Sequence, residues 1–417
     1  MKKTAEDILS RIGDALRVPL PERIGVAVSG GSDSVALLHL LHQSLSPKGV
    51  ELSVVTVDHG LRAAAAEEAR QVTDLADGLG LSHDIIVWQQ GPTQGNLQDQ
   101  ARQARYDLMA DWARARGIEW LALGHTADDQ AETVLMRLMR ASGVDGLSAM
   151  SEVRDRNGVT LWRPLLSVRR QELRSYLDDM GLKWIEDPSN EDVRFERVRV
   201  RRALETLQDL GLTAEALSIV AENMAQARQA LDHYAKLAAK NLAELRAGAV
   251  SIDAAGFATL PDEIAYRLLL GAIKWVTRAG YPLRRAPMLA AITGLREGRG
   301  ATLGGVRLFY QRGRIWICRE SRAVAGCQVA PEEVWDGRWR ILVKETKDCS
   351  IRALGEDGLR QCPDWRESGL PAPVLAVTPA LWRGPALLAA PLLRRANECE
   401  AELIRGEEEF HASFLSH

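Results

Sequence analysis

A short apolar strand that runs straight into two glycines and a helix start constrains this chain more than any other feature. Ile24–Ser29 is apolar and ends at Gly30-Gly31, and Val35–His42 then takes helical spacing. Two glycines let backbone approach a ligand closely and adopt φ > 0. Ser32, Asp33 and Ser34 can cap the helix that follows. Free N–H groups at a helix N-terminus, with the helix dipole behind them, form an anion site that a pyrophosphate fits.

The same alternation repeats. Leu52–Asp58, His83–Trp88 and Glu119–Gly124 read as strands, and Ala63–Leu79, Leu97–Gly117 and Ala127–Ala141 as helices. Near-continuous apolar strands alternating with helices predict an α/β fold, a parallel doubly wound sheet with helices on both faces. Ligands bind such sheets at the strand carboxyl ends. Ser29–Ser34, Asp58–Arg62 and Gly124–Asp129 should therefore share one rim. The pattern breaks near Asp187-Pro188-Ser189-Asn190, and residues 1–212 are expected to form one catalytic domain. Ala-rich helical spacing from Thr213 predicts a mainly helical middle domain, 213–325, with short strands at Val306–Tyr310 and Arg314–Arg319. Gly-turn-rich residues 326–417 are expected to form a small α+β domain.

The glycine loop lacks the GxxxxGK[ST] pattern of a Walker A loop and the GxGxxG of a dinucleotide site. No lysine occurs between Lys48 and Lys183 to reach a γ-phosphate. Asp33 has the wrong charge to hold phosphate directly, so its expected role runs through Mg²⁺, which prefers carboxylate and phosphate oxygens. In Asp58-His59-Gly60-Leu61-Arg62 the backbone could frame adenine and Arg62 could meet a phosphate; an ordinary strand end is the bland alternative. After His125, Asp128 and Glu132 are spaced i,i+4 and Asp129 and Glu132 i,i+3 on one helix face. Acids there suit the dipole and need no further role. They also form a cluster able to hold Mg²⁺, receive an ammonium or take a proton from an attacking amine.

The net charge of −3 excludes a uniformly basic nucleic-acid binder, so any RNA contact must be local. Arg194–Arg202 supplies such a patch: Arg194, Arg197, Arg199, Arg201 and Arg202 would present two basic faces if helical. The five cysteines all lie beyond residue 317 and none forms CxxC, against a disulfide framework. With no signal peptide and no apolar run of about 18 residues, the chain reads as a reduced cytoplasmic protein with no membrane role. Oligomeric state is open, with a homodimer admitted.

Ser29-Gly30-Gly31-Ser32-Asp33-Ser34 resembles the PP-loop of the N-type ATP pyrophosphatases, which cut ATP between α- and β-phosphates. Together with Asp58–Arg62, His125–Thr133, Arg163-Pro164-Leu165-Leu166 and Glu186–Asp192, it occurs in the order seen in bacterial tRNA(Ile)-lysidine synthetases. The likeness covers about residues 20–205, and Thr302–Gly305 and Trp335–Arg338 match more loosely. The resemblance implies ATP and Mg²⁺ as cofactors, with tRNA(Ile) bearing a CAU anticodon and free lysine as substrates. Ser29–Ser34, Asp58, His59, Arg62 and His125 would then serve the nucleotide, Asp33 and Asp129 the metal, and Asp33, Asp128, Asp129, Glu132 and Arg105 the chemistry. Arg197 and Arg201 match basic positions near the substrate, although Val198 stands where the family usually has Asn. A tRNA thiolase, an amidating synthetase and a non-catalytic RNA binder are the competing readings. The thiolase wants a cysteine near the site and the N-terminal region has none; the synthetase wants a glutaminase domain or an ammonia route, and no nucleophile cysteine near the N-terminus supports one.

Overall fold

A computed structural model describes residues 2–15, 21–58, 65–88, 97–186, 192–278, 283–343, 347–393 and 399–414. Contacts divide the chain into two compact units, Met1–Arg228 and Gln229–Ser416.

The first unit begins with α1 (Lys2–Ala15), β1 (Arg23–Ala27), α2 (Ser32–Leu45), β2 (Glu51–Asp58), α3 (Ala65–Gly78), β3 (Ser82–Val87), α4 (Leu97–Ala115), β4 (Trp120–Leu123) and α5 (Ala127–Met139). It continues through α6 (Val144–Leu147), β5 (Val153–Arg156), β6 (Val159–Trp162), α7 (Arg170–Met180), α8 (Glu196–Leu207) and the start of α9 (Ala214–Leu242). Among the described residues the strands form one sheet in the order β3-β2-β1-β4-β6-β5. Pairing is parallel from β3 to β6, and only the β5–β6 hairpin is antiparallel.

Both sheet faces are covered, as the apolar runs require. Ile24, Val26, Leu52, Val54, Ala122 and Trp162 pack with Leu37, Leu41, Val72, Leu173 and Leu177 from α2, α3 and α7. Residues of the opposite parity, Val55, Leu121, Leu123 and Leu161, pack against Tyr106, Met109, Ala110 and Ala113 of α4. The expected doubly wound α/β fold is present. The β5–β6 hairpin was not anticipated because Val153-Arg154-Asp155-Arg156 is an exposed polar edge with no apolar run to mark it.

After β1 the chain builds β2 and β3 on one side of it, then returns to place β4 on the other. The carboxyl ends of β1 and β4 therefore form the topological switch point, and they carry the Ser29–Ser34 and Gly124–Asp129 loops. Gly124 makes their approach close: a Cβ there would lie 3.1 Å from the backbone of Asp33 and Ser34.

The second unit contains β7 (Ala243–Arg246), β8 (Ala249–Asp253), α10 (Ala254–Thr259), α11 (Asp262–Thr277), α12 (Arg285–Arg296), β9 (Ala301–Leu303), β10 (Val306–Gln311) and β11 (Arg314–Arg319). Its sheet runs β7-β8-β11-β10-β9 and packs on α11 and α12. Helices thus share the span 213–325 with this sheet, whose β10 and β11 cover the strands expected at Val306–Tyr310 and Arg314–Arg319. The helical pattern does run to Leu242, but Ala243 and Ala249 then open a hairpin turned by Ala247 and Gly248, both at positive φ. Farther on, β12 (Gln328–Val329) joins a small antiparallel sheet, and β13 (Trp339–Val343) pairs with the strand Cys399–Leu403.

Gly30 sits at φ 85°, and a Cβ on it would lie 2.4 Å from Ile185 Cδ1. Gly30→Ala should cost about 1–2 kcal/mol from the left-handed backbone alone, read as a lower urea midpoint at unchanged m. Gly31, at φ −71° with no atom nearer than 3.8 Å, should accept alanine with stability unchanged within about 0.5 kcal/mol.

Candidate active site at the switch point

The glycine loop is held by its own serines. Ser34 Oγ donates to the Gly31 carbonyl at 3.0 Å and accepts from the Ser29 amide at 3.2 Å. The Ile185 amide donates to the Gly30 carbonyl at 2.9 Å. Ser32 and Asp33 begin α2, where their N–H groups have no intrahelical acceptor. The loop thus offers amides and a positive dipole end to an anion.

The second loop opens with Thr126, which caps α5. Asp129 Oδ2 accepts from the Thr126 amide and hydroxyl at 2.8 and 2.9 Å, and the Asp129 amide donates to Thr126 Oγ1 at 3.4 Å. This box brings Asp128 and Asp129 to the first turn of α5 and sends Glu132 inward, where it is 1% exposed. A carboxylate buried that deeply requires cationic partners.

Those partners come from two helices. Leu165 and Val168 are fully buried, and the Val168 carbonyl accepts from the Ala127 amide at 2.9 Å, which docks the start of α7 beside α5. Arg170 Nε then donates to Asp33 Oδ2 at 2.9 Å. Its Nη2 donates to Asp129 Oδ1 at 3.3 Å, and its Nη1 lies 3.6 Å from Glu132. The Arg170 amide donates to Asp128 Oδ2 at 2.7 Å, and Arg169 pairs with Asp128 at 3.3 Å and with Glu215. Val200 and Leu204 pack α8 on Ala131 and Val134 of α5. That contact turns Arg197 onto Glu132 at 2.6 Å and Asp129 at 3.0 Å, and Arg201 onto Glu132 at 2.9 Å. Four carboxylates and four guanidiniums thus meet at the switch point.

Environment separates two of these acids. Burial pushes Asp33 above the ordinary carboxylate range, more than Arg170 pulls it down, and nearby Asp129 adds to the rise. Burial would raise Asp129 too, yet Arg197, Arg170, His125 and the Thr126 donors hold it below that range. Arg170 and Arg197 are held above the ordinary arginine value: burial works against their charge, but the acids outweigh it.

Asp33, Asp128, Asp129 and Glu132 come together as the spacing suggested. Asp58 ends β2, and its carbonyl accepts from the Trp88 amide at 2.8 Å. His125 lies close enough to Asp129 to act on its charge. His59, Arg62, Arg394 and Arg395 lie outside the described residues. Arg105 sits on α4, its guanidinium 5.6 Å from the Tyr106 ring. The two basic faces expected of Arg194–Arg202 reduce to one. Arg199 and Arg202 are exposed, whereas Arg197 and Arg201 turn inward because α8 docks through its Val200–Leu204 side. Arg194 precedes the helix and pairs with Asp192 at 2.6 Å. In the sequence alone, the pairs Arg169-Arg170 and Arg394-Arg395 read as phosphate contacts or as ordinary surface. The usable signal was electrostatic: two arginines opening a helix oppose its dipole and imply acids supplied from elsewhere.

Among the described residues no three His, Cys, Asp or Glu side chains converge as a ready metal cage. A Mg²⁺ held partly by phosphate oxygens needs only one or two carboxylates. Asp33 and Asp129 fit, since one guanidinium already spans an oxygen of each.

Removing Arg170 leaves buried charge uncompensated, so Arg170→Gln should destabilise the protein by about 3 kcal/mol at neutral pH. The depressed Asp129 gives stability that is present above the unfolded carboxylate value and lost as pH falls through its lower folded value. The raised Asp33 acts oppositely, its penalty fading as pH falls through its elevated value. Without Arg170 both acids titrate higher, so the gap between variant and wild type should begin to narrow above about pH 4, as the variant's acids take up protons, and go on narrowing until the wild-type acids are protonated too. Urea unfolding across pH reads this; a gap constant with pH would contradict it.

Residues 4–207 match the family of PP-loop domains. The chain is 49% identical over 413 residues to the tRNA(Ile)-lysidine synthase of Ruegeria pomeroyi, with 99% of each chain covered. It is 36% identical over 340 residues to that of Wolbachia pipientis wMel, covering 79% of each. Among solved structures, the U34-tRNA thiolase NcsA from Methanococcus maripaludis with its [4Fe-4S] cluster aligns with a TM-score of 0.47 at 17% identity, over 54% of this chain and 80% of that one. A PP-loop nucleotide domain and near-full-length likeness to such enzymes place this chain in the tRNA(Ile)-lysidine synthase family, ATP-using ligases that form a C–N bond in tRNA processing.

Proposed function

We propose that the switch-point site modifies the wobble cytidine of a CAU-anticodon tRNA(Ile) with free lysine, in two steps. The ring carbonyl oxygen attacks the ATP α-phosphorus and pyrophosphate leaves. The lysine ε-amine then attacks the activated carbon, loses a proton, and AMP departs carrying the former carbonyl oxygen. Adenylation matters because a ring carbonyl oxygen is otherwise a poor leaving group.

The observation that carries this reading is that one guanidinium, Arg170, spans Asp33 of the glycine loop and Asp129 and Glu132 of α5. Nucleotide-loop and amine-side acids are thereby adjacent, as successive attack on one substrate requires. The Ser29–Ser34 amides would hold the departing pyrophosphate. Asp33 and Asp129 would hold Mg²⁺, which when bound offsets charge on the phosphates. Asp128, Asp129 and Glu132 would receive the lysine ammonium and take the proton it sheds. An incoming cation has the same sign as Arg170, so Arg170 must yield part of its contact with these acids as it arrives. Arg197 and Arg201 would hold Glu132 in place near the substrate. Arg199 and Arg202 remain on an outward face of α8 for RNA phosphates, and residues 326–417 would hold the tRNA body. Such substrates place the enzyme in the cytoplasm; no described helix is long and apolar enough to cross a membrane.

Nucleoside analysis of CAU tRNA after incubation with ATP and lysine should show lysidine. Lysine-free samples, and samples given ammonia or sulfide instead, should show none. Asp33→Asn should lower pyrophosphate release at least 10²-fold while tRNA affinity changes less than threefold; undiminished release would remove Asp33 from the mechanism. Gly31→Ala, neutral for stability, should weaken ATP binding by crowding the loop.

A further inference from the structure

The second unit carries a small open cleft lined by Trp275, Arg278, Arg338, Leu403 and Arg405. Its base is the turn Trp335-Asp336-Gly337-Arg338, in which Asp336 and Gly337 both take positive φ and the Arg338 amide donates to the Trp335 carbonyl at 2.9 Å. The turn leaves Arg338 6% exposed, with its guanidinium 5.5 Å from the Trp275 ring. Arg338 donates to the Gly248 carbonyl, which carries no net charge. The acid beside it is already engaged: Asp336 accepts from Arg319 at 2.8 and 2.9 Å and stands 4.0 Å from Arg338. Arg278 and Arg405 are exposed at the mouth, and Arg278 donates to the Gly337 carbonyl. Trp275 is 2% exposed, and its Nε1 has no acceptor among the described residues.

Among the described residues charge does not balance there: Arg319 and Arg338 share one carboxylate, Asp336, and no ion pair joins Arg278 or Arg405 to an acid. The C-terminal end of α11, beside Arg278, adds only about half a negative charge. Burial pushes the Arg338 guanidinium down to about 10, and Arg319 and Arg278 push the same way. A buried guanidinium with an engaged partner, two more at the rim and a spare indole N–H together lack one tetrahedral oxyanion.

We propose that this cleft binds a phosphate-class oxyanion, presented in the working enzyme as a backbone phosphate of RNA. Arg338 lies at its base, Arg278 and Arg405 at its mouth, and the Trp275 indole N–H is a further donor. The RNA source rests on the tRNA reading above; the anion site does not.

The test uses the full chain and the Arg278→Gly/Arg405→Ala variant. Arg278 adopts φ 56°, so glycine there removes a guanidinium while suiting the backbone, and Arg405 is exposed. Inorganic phosphate is titrated against the Trp275 indole ¹H–¹⁵N signal, assigned with Trp275→Phe, and binding of a CAU tRNA transcript is measured across a salt series. Phosphate should shift that signal saturably in the wild type and at least tenfold more weakly in the variant. The variant's tRNA affinity should fall several-fold and its salt slope by about 1. A phosphate-dependent shift with unchanged tRNA affinity and slope would overturn the RNA source and leave a free-anion site. No shift with phosphate would overturn the site itself. Pyrophosphate release at saturating tRNA should be equal in both proteins; its absence from both would sink the catalytic reading and leave the anion site standing.

Discussion

The catalytic unit depends on a knot of opposite charges at the switch point. Asp33, Asp128, Asp129 and Glu132 come from two loops that belong to different strands, and Arg169, Arg170, Arg197 and Arg201 come from two later helices. Four acids could not be packed this closely alone, because a buried unpaired carboxylate is far too costly. The arginines make the cluster tolerable without ligand and leave its oxygens oriented toward cations. Breaking one member is therefore expected to be worse than never having had the pair.

Ordinary packing builds the knot. The sheet order places the ends of β1 and β4 side by side, and Gly124 removes the Cβ that would keep their loops apart. Val168 ties the entry of α7 to the entry of α5, and Val200 with Leu204 docks α8 on the same helix. Apolar contacts thus fix the geometry, and electrostatics decides which side chains occupy it. Asp33 is pushed up by burial and Asp129 held down by arginines, so equal residue types start from unequal protonation tendencies, a pattern typical of acid–base sites.

Much of this was legible beforehand, for identifiable reasons. Strands buried on both faces write themselves as apolar runs, so β1, β2 and β4 could be read directly, and the edge strand β3 showed itself through Ile85-Ile86-Val87. The acids of α5 announced themselves by i,i+3 and i,i+4 spacing. The other edge strand, Val153–Arg156, carries no apolar run, which hid it. The destination of a charged side chain is a tertiary fact. Nothing local in Arg194–Arg202 says that Arg197 and Arg201 turn inward, because that follows from where Val200 and Leu204 find their partners. Arg170 was hidden for the same reason, lying 137 residues along the chain from Asp33. Arg105 is assigned a role only by likeness to a motif; on α4 its guanidinium lies 5.6 Å from the Tyr106 ring.

The central claim is that the glycine loop holds the two outer phosphates of ATP while the adjoining acids serve an amine. Its most direct test is the fate of ATP labelled at the α-phosphate, incubated with CAU tRNA and lysine. The account predicts label in AMP, with one pyrophosphate released for each lysine joined to tRNA. Label accumulating in ADP, with orthophosphate released, would contradict it.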